Sequence, residues 1–245
     1  MIILKAWYKR LGNNIIQLSN IIHIAIAFKH NIKINVQHKF FDVSLIEKYF
    51  NKYNNSEIIT DDKNLFFRNS KLSFPNAIFE QNIEEKNKIL KNAFLIKNIN
   101  KLNENDLVIH IRSGDIFSSR PHREYVPPPL CYYTKEIDKY KYEKIHIICE
   151  DTKNPVVNEL LKSYKNAVWE KNNLEKDIRI ILGATNIIYS VGTFIPSLMY
   201  LSNNNKYLFG YSFSNHDKLN EYYKIMKPWK NTKVQRNYIL TYDYN

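Results

Sequence analysis

Arg112 stands at the end of a strand-like run and just before Ser113-Gly114-Asp115. Along Leu107-Val108-Ile109-His110-Ile111-Arg112, alternation puts Leu107, Ile109 and Ile111 on one face and Val108, His110 and Arg112 on the other. A guanidinium at the end of a parallel strand, ahead of a Ser-Gly turn, offers a diphosphate two parallel hydrogen bonds. The same spacing also allows an Arg112–Asp115 pair that merely fixes the turn. In Arg10-Leu11-Gly12-Asn13-Asn14, Gly12 permits close backbone approach, and the helix N-terminus after it offers unpaired N–H groups. Arg10 and Asn13 there suit an anionic or sugar ligand; a plain helix cap is the competing reading. Cys149-Glu150-Asp151-Thr152 reads as a solvated turn or a cap. The fourth segment is Asp177 with the later turn Tyr189-Ser190-Val191-Gly192-Thr193-Phe194. Small hydroxyl residues with a glycine suit phosphate contact through N–H and Oγ groups, and a simple ST-turn is the alternative.

Each segment lies where a strand is expected to end. Ile2-Ile3-Leu4 starts the first strand, and Asn13 or Asn14 is placed to cap a helix running to about Lys29. That helix is apolar on most sides, with Ile15, Leu18, Ile22, Ala25 and Ile26 as its main stripe. Ile32 to Val36 alternates with period 2 and completes a βαβ unit, whose ligand edge is the carboxyl end of the strands. Glu57–Thr60 reads as a short strand, 61–79 as irregular and Gln81 to about Lys97 as a helix. From Asn105 the alternation is regular: strands at Leu107–Ile111, Lys144–Cys149, Ala167–Trp169, Asn186–Tyr189 and Lys206–Phe209. Helices are expected between them at Pro129–Tyr140, Pro155–Tyr164, Leu174–Ala184 and Ile195–Ser202, with Pro155 and Pro196 at helix starts. This pattern predicts a parallel sheet with helices on both faces. The expected division is a lobe over 1–103, a second over 104–215, and a helix and tail over 216–245. The tail is expected to pack back on the first lobe.

The chain has 245 residues, 44% of them hydrophobic, enough to bury a substantial core. Its 2 cysteines exclude a disulfide scaffold and a Cys-built zinc site. No run approaches the roughly 20 apolar residues of a membrane span, and no leader precedes the first strand, so a cytoplasmic location is expected. The net charge of +12 favours anionic partners, but the chain is crowded with the Asn, Lys and Ile of AT-rich codons, so charge does not decide function.

The four segments in this order resemble the GDP-fucose-dependent fucosyltransferases. Gly-Asn-Asn-Ile-Ile-Gln from Gly12 resembles their Gly-Asn-Gln opening, and His110-Ile-Arg112-Ser-Gly-Asp115 their His-x-Arg-Arg-x-Asp motif. Pro129-Leu-Cys-Tyr-Tyr133 is similar to the aromatic segment that follows in α1,2-fucosyltransferase-like enzymes. Glu175 to Ile188 is similar to their acidic helix and following strand, and the turn at Ser190–Phe194 to the Ser-Thr-Phe turn of protein fucosyltransferases. Ser113 stands where that family has a second Arg, and Asn14 where it has Gln.

The resemblance implies a GT-B-type α/β fold, two Rossmann-like lobes with a donor cleft between them. It implies inverting transfer of fucose from GDP-fucose to a glycan or other hydroxyl acceptor. Arg112 would stabilise the diphosphate, Asp115 or Glu124 would serve as base, and Arg10, Gly12, Asn13, His110, Asp177, Ser190, Thr193 and Phe194 would hold the donor. Asp177 is implied as the partner of guanine N1 and N2. No cofactor and no metal is expected, since Arg112 supplies the positive charge. The rival readings are a basic nucleic-acid or polyanion binder, with 18 Tyr and 13 Phe available for stacking, and an inactive glycan-binding relative. No nucleic-acid motif supports the first of these.

Overall fold

The computed structural model describes residues 1–53, 58–59, 81–204, 207–211 and 217–244. The chain divides into two compact units, 1–99 with 193–203, and 100–192 with 204–245. Both are α/β with parallel strands, and each is described separately.

In the first unit β1 (Ile2–Leu4) pairs in parallel with β2 (Ile32–Ile34), Ile2 opposite Ile32. Ile59 adds a parallel bridge on the other side of Ile2. The expected strand at Glu57–Thr60 is thus seen only at this bridge; Glu57, Thr60 and the 61–79 region lie outside the described residues. Between β1 and β2 runs α1 (Leu11–Phe28), buried almost all round through Ile15, Leu18, Ile21, Ile22 and Ile24. Contrary to the expectation that no run approaches a membrane span, it is long and apolar enough to cross one, but 72% of it is buried inside the protein, as befits a core helix. Its N-cap is Arg10, without a side-chain capping bond, so neither Asn13 nor Asn14 caps it as expected. Asn14 instead donates to the Tyr8 carbonyl at 2.9 Å.

Two further helices, α2 (Val43–Phe50) and α3 (Ile83–Ala93), pack on each other and on this core. α3 stops short of the expected Lys97 because Phe94 pairs with Phe41, and Leu95 N–H donates to Phe40.

The second unit is built on β3 (Asp106–His110), β4 (Lys144–Ile148), β5 (Ala167–Trp169), β6 (Asn186–Tyr189) and β7 (Tyr207–Gly210). All are parallel, in the order β5-β4-β3-β6-β7. The connecting helices are α4 (Leu130–Ile137), α5 (Pro155–Ser163) and α6 (Leu174–Gly183). Asn154 and Asn173 cap α5 and α6 through their side chains, which fixes where each helix begins. The chain runs outward from β3 through β4 to β5, then crosses back to β6. The order therefore reverses between β3 and β6, and the connections that leave their carboxyl ends lead to opposite sides of the sheet, to β4 and to β7. Such a switch point is where open α/β sheets bind ligands.

Two expectations are corrected. The segment after β6 forms α7 (Phe194–Leu198) and a 3₁₀ turn at Met199–Leu201, and it belongs to the first unit, not the second. Its partner is α1, against which it packs. The tail, conversely, belongs to the second unit: α8 (Asp217–Met226) is followed by an unforeseen helix, α9 (Lys233–Thr241), which packs on α4 and α5. A capping box between Thr232 and Gln235 starts α9.

Candidate functional site

At the switch point the backbone N–H of Arg112 donates to Ser190 Oγ at 2.8 Å, and Ser190 N–H donates to the His110 carbonyl at 3.1 Å. These bonds tie the end of β3 to the end of β6. The Arg112 side chain is 21% exposed, and its Nη2 meets Asp115 Oδ2 at 2.9 Å. The Tyr125 ring covers the guanidinium, 4.6 Å from Cζ to the ring centroid. Gly192, at φ 111°, passes so close that a β-carbon there would stand 2.8 Å from Nη1.

The pair with Asp115 is partly exposed and contributes about 1 kcal/mol at most. Arg112 Nε is buried, with no hydrogen-bond partner among the described residues.

The turn after Arg112 hangs on Asp151. Its Oδ1 accepts from Ser113 Oγ at 2.5 Å, Gly114 N–H at 3.2 Å and Lys153 N–H at 3.1 Å, while Oδ2 pairs with Lys153 Nζ at 3.0 Å. Partial burial pushes this carboxyl up, but the bonds from Ser113, Lys153 and Gly114 outweigh it and hold the pKa at about 2. Asn154 N–H donates to Ser113 Oγ, and its side chain donates to the Arg112 carbonyl, both at 3.1 Å. Ser113 is 1% exposed inside this lattice, so a second arginine has no room there. The sequence reads Asp151 as part of a solvated turn or a cap; its partners Ser113 and Gly114 lie 38 and 37 residues away, which no local pattern signals.

His110, at the end of β3, is held neutral: burial, then the charge of Arg112, lower its pKa to about 4. Burial raises Asp177, in the first turn of α6, to about 6, against a hydrogen bond from Asn172 and the charge of Lys176. Asp177 stands near Cys149 at the end of β4. Burial first, then the charges of Asp151, Asp177 and Glu150, push that thiol up to about 12, which makes it a poor nucleophile. Glu124 is exposed and paired with Lys227 Nζ at 2.5 Å, and that bond lowers its pKa.

Of the expected site residues, His110, Arg112, Asp115 and Ser190 converge. Glu124 lies beside Tyr125 but is engaged by Lys227, and Asp177 lies in the first turn of α6, near Cys149. The others fall in the first unit. Arg10 is the exposed N-cap of α1. Thr193 Oγ1 donates to Asn13 Oδ1 at 2.6 Å. What comes close to Gly12 is the chain itself: a β-carbon there would stand 2.9 Å from Phe194 N and Cα. Gly12, Asn13, Thr193 and Phe194 thus form a helix-packing contact within the first unit. Tyr125, whose ring covers Arg112, is the neighbour that no local pattern signals. Among the described residues no cluster of His, Cys, Asp or Glu could hold a metal ion.

No family model matches the chain, and no curated protein matches it. Solved structures do overlap it. POFUT1 in complex with GDP gives a TM-score of 0.47 at 12% identity, covering 86% of this chain and 98% of that one. NodZ alpha-1,6-fucosyltransferase soaked with GDP-fucose gives 0.46 at 9% identity, covering 87% and 95%. E. coli heptosyltransferase WaaC with ADP gives 0.39 at 10% identity, covering 86% of both chains. At these scores and identities the overlap assigns nothing to this chain; its α/β class rests on its own parallel sheets, and its site on its own geometry.

Proposed function

We propose that the protein is a GT-B-type glycosyltransferase that transfers fucose from GDP-fucose, with inversion, to a glycan or other hydroxyl acceptor. The observation that carries this reading is Arg112: a guanidinium held by Asp115 and the Tyr125 ring at the carboxyl ends of the adjacent strands β3 and β6. The nucleotide follows from the motif resemblance and from Asp177, whose carboxylate suits the adjacent N1–H and N2–H donors of guanine.

In the reaction, the acceptor oxygen forms a bond to the anomeric carbon as the bond from that carbon to the diphosphate oxygen breaks. The electron pair leaves with GDP. Arg112 meets the charge that grows on the diphosphate, in a site fixed beforehand by Ser190, Asp115 and Tyr125. The His110 carbonyl, accepting from Ser190 N–H, fixes the end of β3. The acceptor proton passes to a carboxylate, Asp115 or Glu124; Asp115 pairs with Arg112 and Glu124 with Lys227. Arg112 supplies the positive charge, so transfer is expected to proceed in the presence of a chelator.

Melting curves with GDP, UDP and ADP test the reading, since a ligand at 100 times its Kd stabilises by about 2.7 kcal/mol. GDP alone should shift the transition. Arg112→Lys should stay folded and lose turnover by a factor on the order of 10²–10³. Stabilisation by UDP but not GDP would remove the guanine-specific version, and near wild-type turnover in folded Arg112→Lys protein would sink the role of Arg112.

A further inference from the structure

Tyr125 lies in a stretch without regular structure, between the 3₁₀ turn at Gly114–Phe117 and α4. Left to itself, such a stretch would not keep an aromatic ring over a guanidinium, because ordering each residue costs conformational entropy. The stretch is fastened at several points by one short piece of the C-terminal segment. Trp229 N–H donates to the Arg123 carbonyl at 3.0 Å, and its Nε1 donates to the Ile116 carbonyl at 2.6 Å. Asn231 Nδ2 donates to the Ser118 carbonyl at 3.0 Å, and Lys227 pairs with Glu124. The Trp229 ring is fully buried, edge-on to Phe117 with centroids 5.4 Å apart. Next to Tyr125, the Tyr222 hydroxyl donates to the Pro127 carbonyl at 2.9 Å. Within the stretch, Tyr125 N–H donates to the His122 carbonyl at 3.1 Å, closing the turn that presents the ring.

We propose that Tyr125 is a positioning residue for Arg112, and that residues 227–231 are the clamp that keeps its ring on the guanidinium. The inference rests on the reading of Arg112 as a diphosphate contact. The ring covers one face of the guanidinium, Asp115 holds Nη2, and Gly192 leaves room for Nη1. The planar group is thereby held in one orientation before any ligand arrives, so less freedom is lost when a diphosphate binds. An aromatic face does this through its quadrupole, which an aliphatic side chain of similar bulk lacks.

The test uses inorganic pyrophosphate as the probe, with GDP alongside, on the full chain. Tyr125→Phe keeps the ring and should bind pyrophosphate within about twofold of wild type. Tyr125→Leu should bind roughly tenfold more weakly, the scale of one cation–π contact, with an unchanged melting temperature in the absence of ligand. Asn231→Ala, which removes one clamp bond and leaves Trp229 in place, should weaken binding about threefold. Equal pyrophosphate affinity in wild type and Tyr125→Leu would overturn the inference while leaving the GDP reading intact. Full affinity in Asn231→Ala would overturn the clamp. If pyrophosphate binding weakens as described in a protein that takes no GDP, the positioning role stands and the guanine nucleotide reading fails. A wild-type protein that binds neither probe overturns both.

Discussion

Gly192 and Arg112 fit together only because position 192 lacks a side chain: a β-carbon there would lie 2.8 Å from Nη1, on a backbone already at φ 111°. Gly192→Ala therefore strains the turn and displaces the guanidinium. The displaced atom is the end of a long side chain, so Arg112 moves more readily than the fold yields. We expect a loss of about 1 kcal/mol of stability from the backbone together with at least a roughly tenfold loss of GDP affinity. Calorimetric titration beside a denaturant melt measures both; a variant that lost stability but kept its affinity would refute the fit.

Asp177 gives donor binding a pH signature. Its pKa is raised to about 6, so in the folded protein it is protonated at pH 5 and ionised at pH 7. If its carboxylate accepts from guanine, GDP affinity should climb as pH rises through about 6 and level off above that. His110, with a pKa near 4, adds no step in this range. Stability runs the other way: a carboxyl raised above its unfolded value near 3.9 makes stability fall as pH rises from about 4 to 6. Asp177→Asn should flatten both profiles. An affinity step at pH 6 that survived the substitution would assign it to another group.

Asp151 is depressed to about 2, so its contribution to stability is fully present above pH 4 and is lost as pH falls from about 4 toward 2. Asp151→Ala strips partners from Ser113 Oγ and the N–H groups of Gly114 and Lys153. A cost of about 1–3 kcal/mol at pH 7, shrinking below pH 4, is expected from acid-range melting curves. A cost that stayed constant down to pH 2 would contradict the assignment.

Glu124 and Asp115 separate by the same substitution. Glu124→Gln removes an exposed partner of Lys227 and should leave turnover within a few-fold of wild type. Asp115→Asn should lower turnover by about 10²–10⁴ if this carboxylate takes the acceptor proton. Comparing initial rates at saturating donor decides it, and the reverse order of effects would move the base to Glu124.

The second unit was legible because β3, β4 and β6 are short runs rich in Ile, Val and Leu between helices that asparagine or proline starts. Leu107–Ile109, Ile145–Ile148 and Ile187–Ile188 carry their burial in their own composition. α9 was not legible: of its nine residues only Ile239 is buried, so its pattern gives little sign of a docked helix. The site divides in the same way. Arg112 was readable from alternation and from the turn after it, which are local. Asp151 under Ser113, Tyr125 over Arg112 and Trp229 behind Ile116 depend on chain brought together from 13 to 113 residues away. Gly12, which the sequence reads either as room for a ligand or as part of a plain helix cap, meets the backbone of Phe194.

The hydrogen bond from Thr193 to Asn13 spans 180 residues of sequence. During synthesis α1 emerges long before α7, against which it packs. At the usual 5–20 residues per second, its apolar surface waits about 10 to 35 s for that partner while the whole β3–β6 region is made. α1 is thus made early relative to its partner and finished late, and in the interval its isoleucine-rich surface is open to chaperones and to other nascent chains.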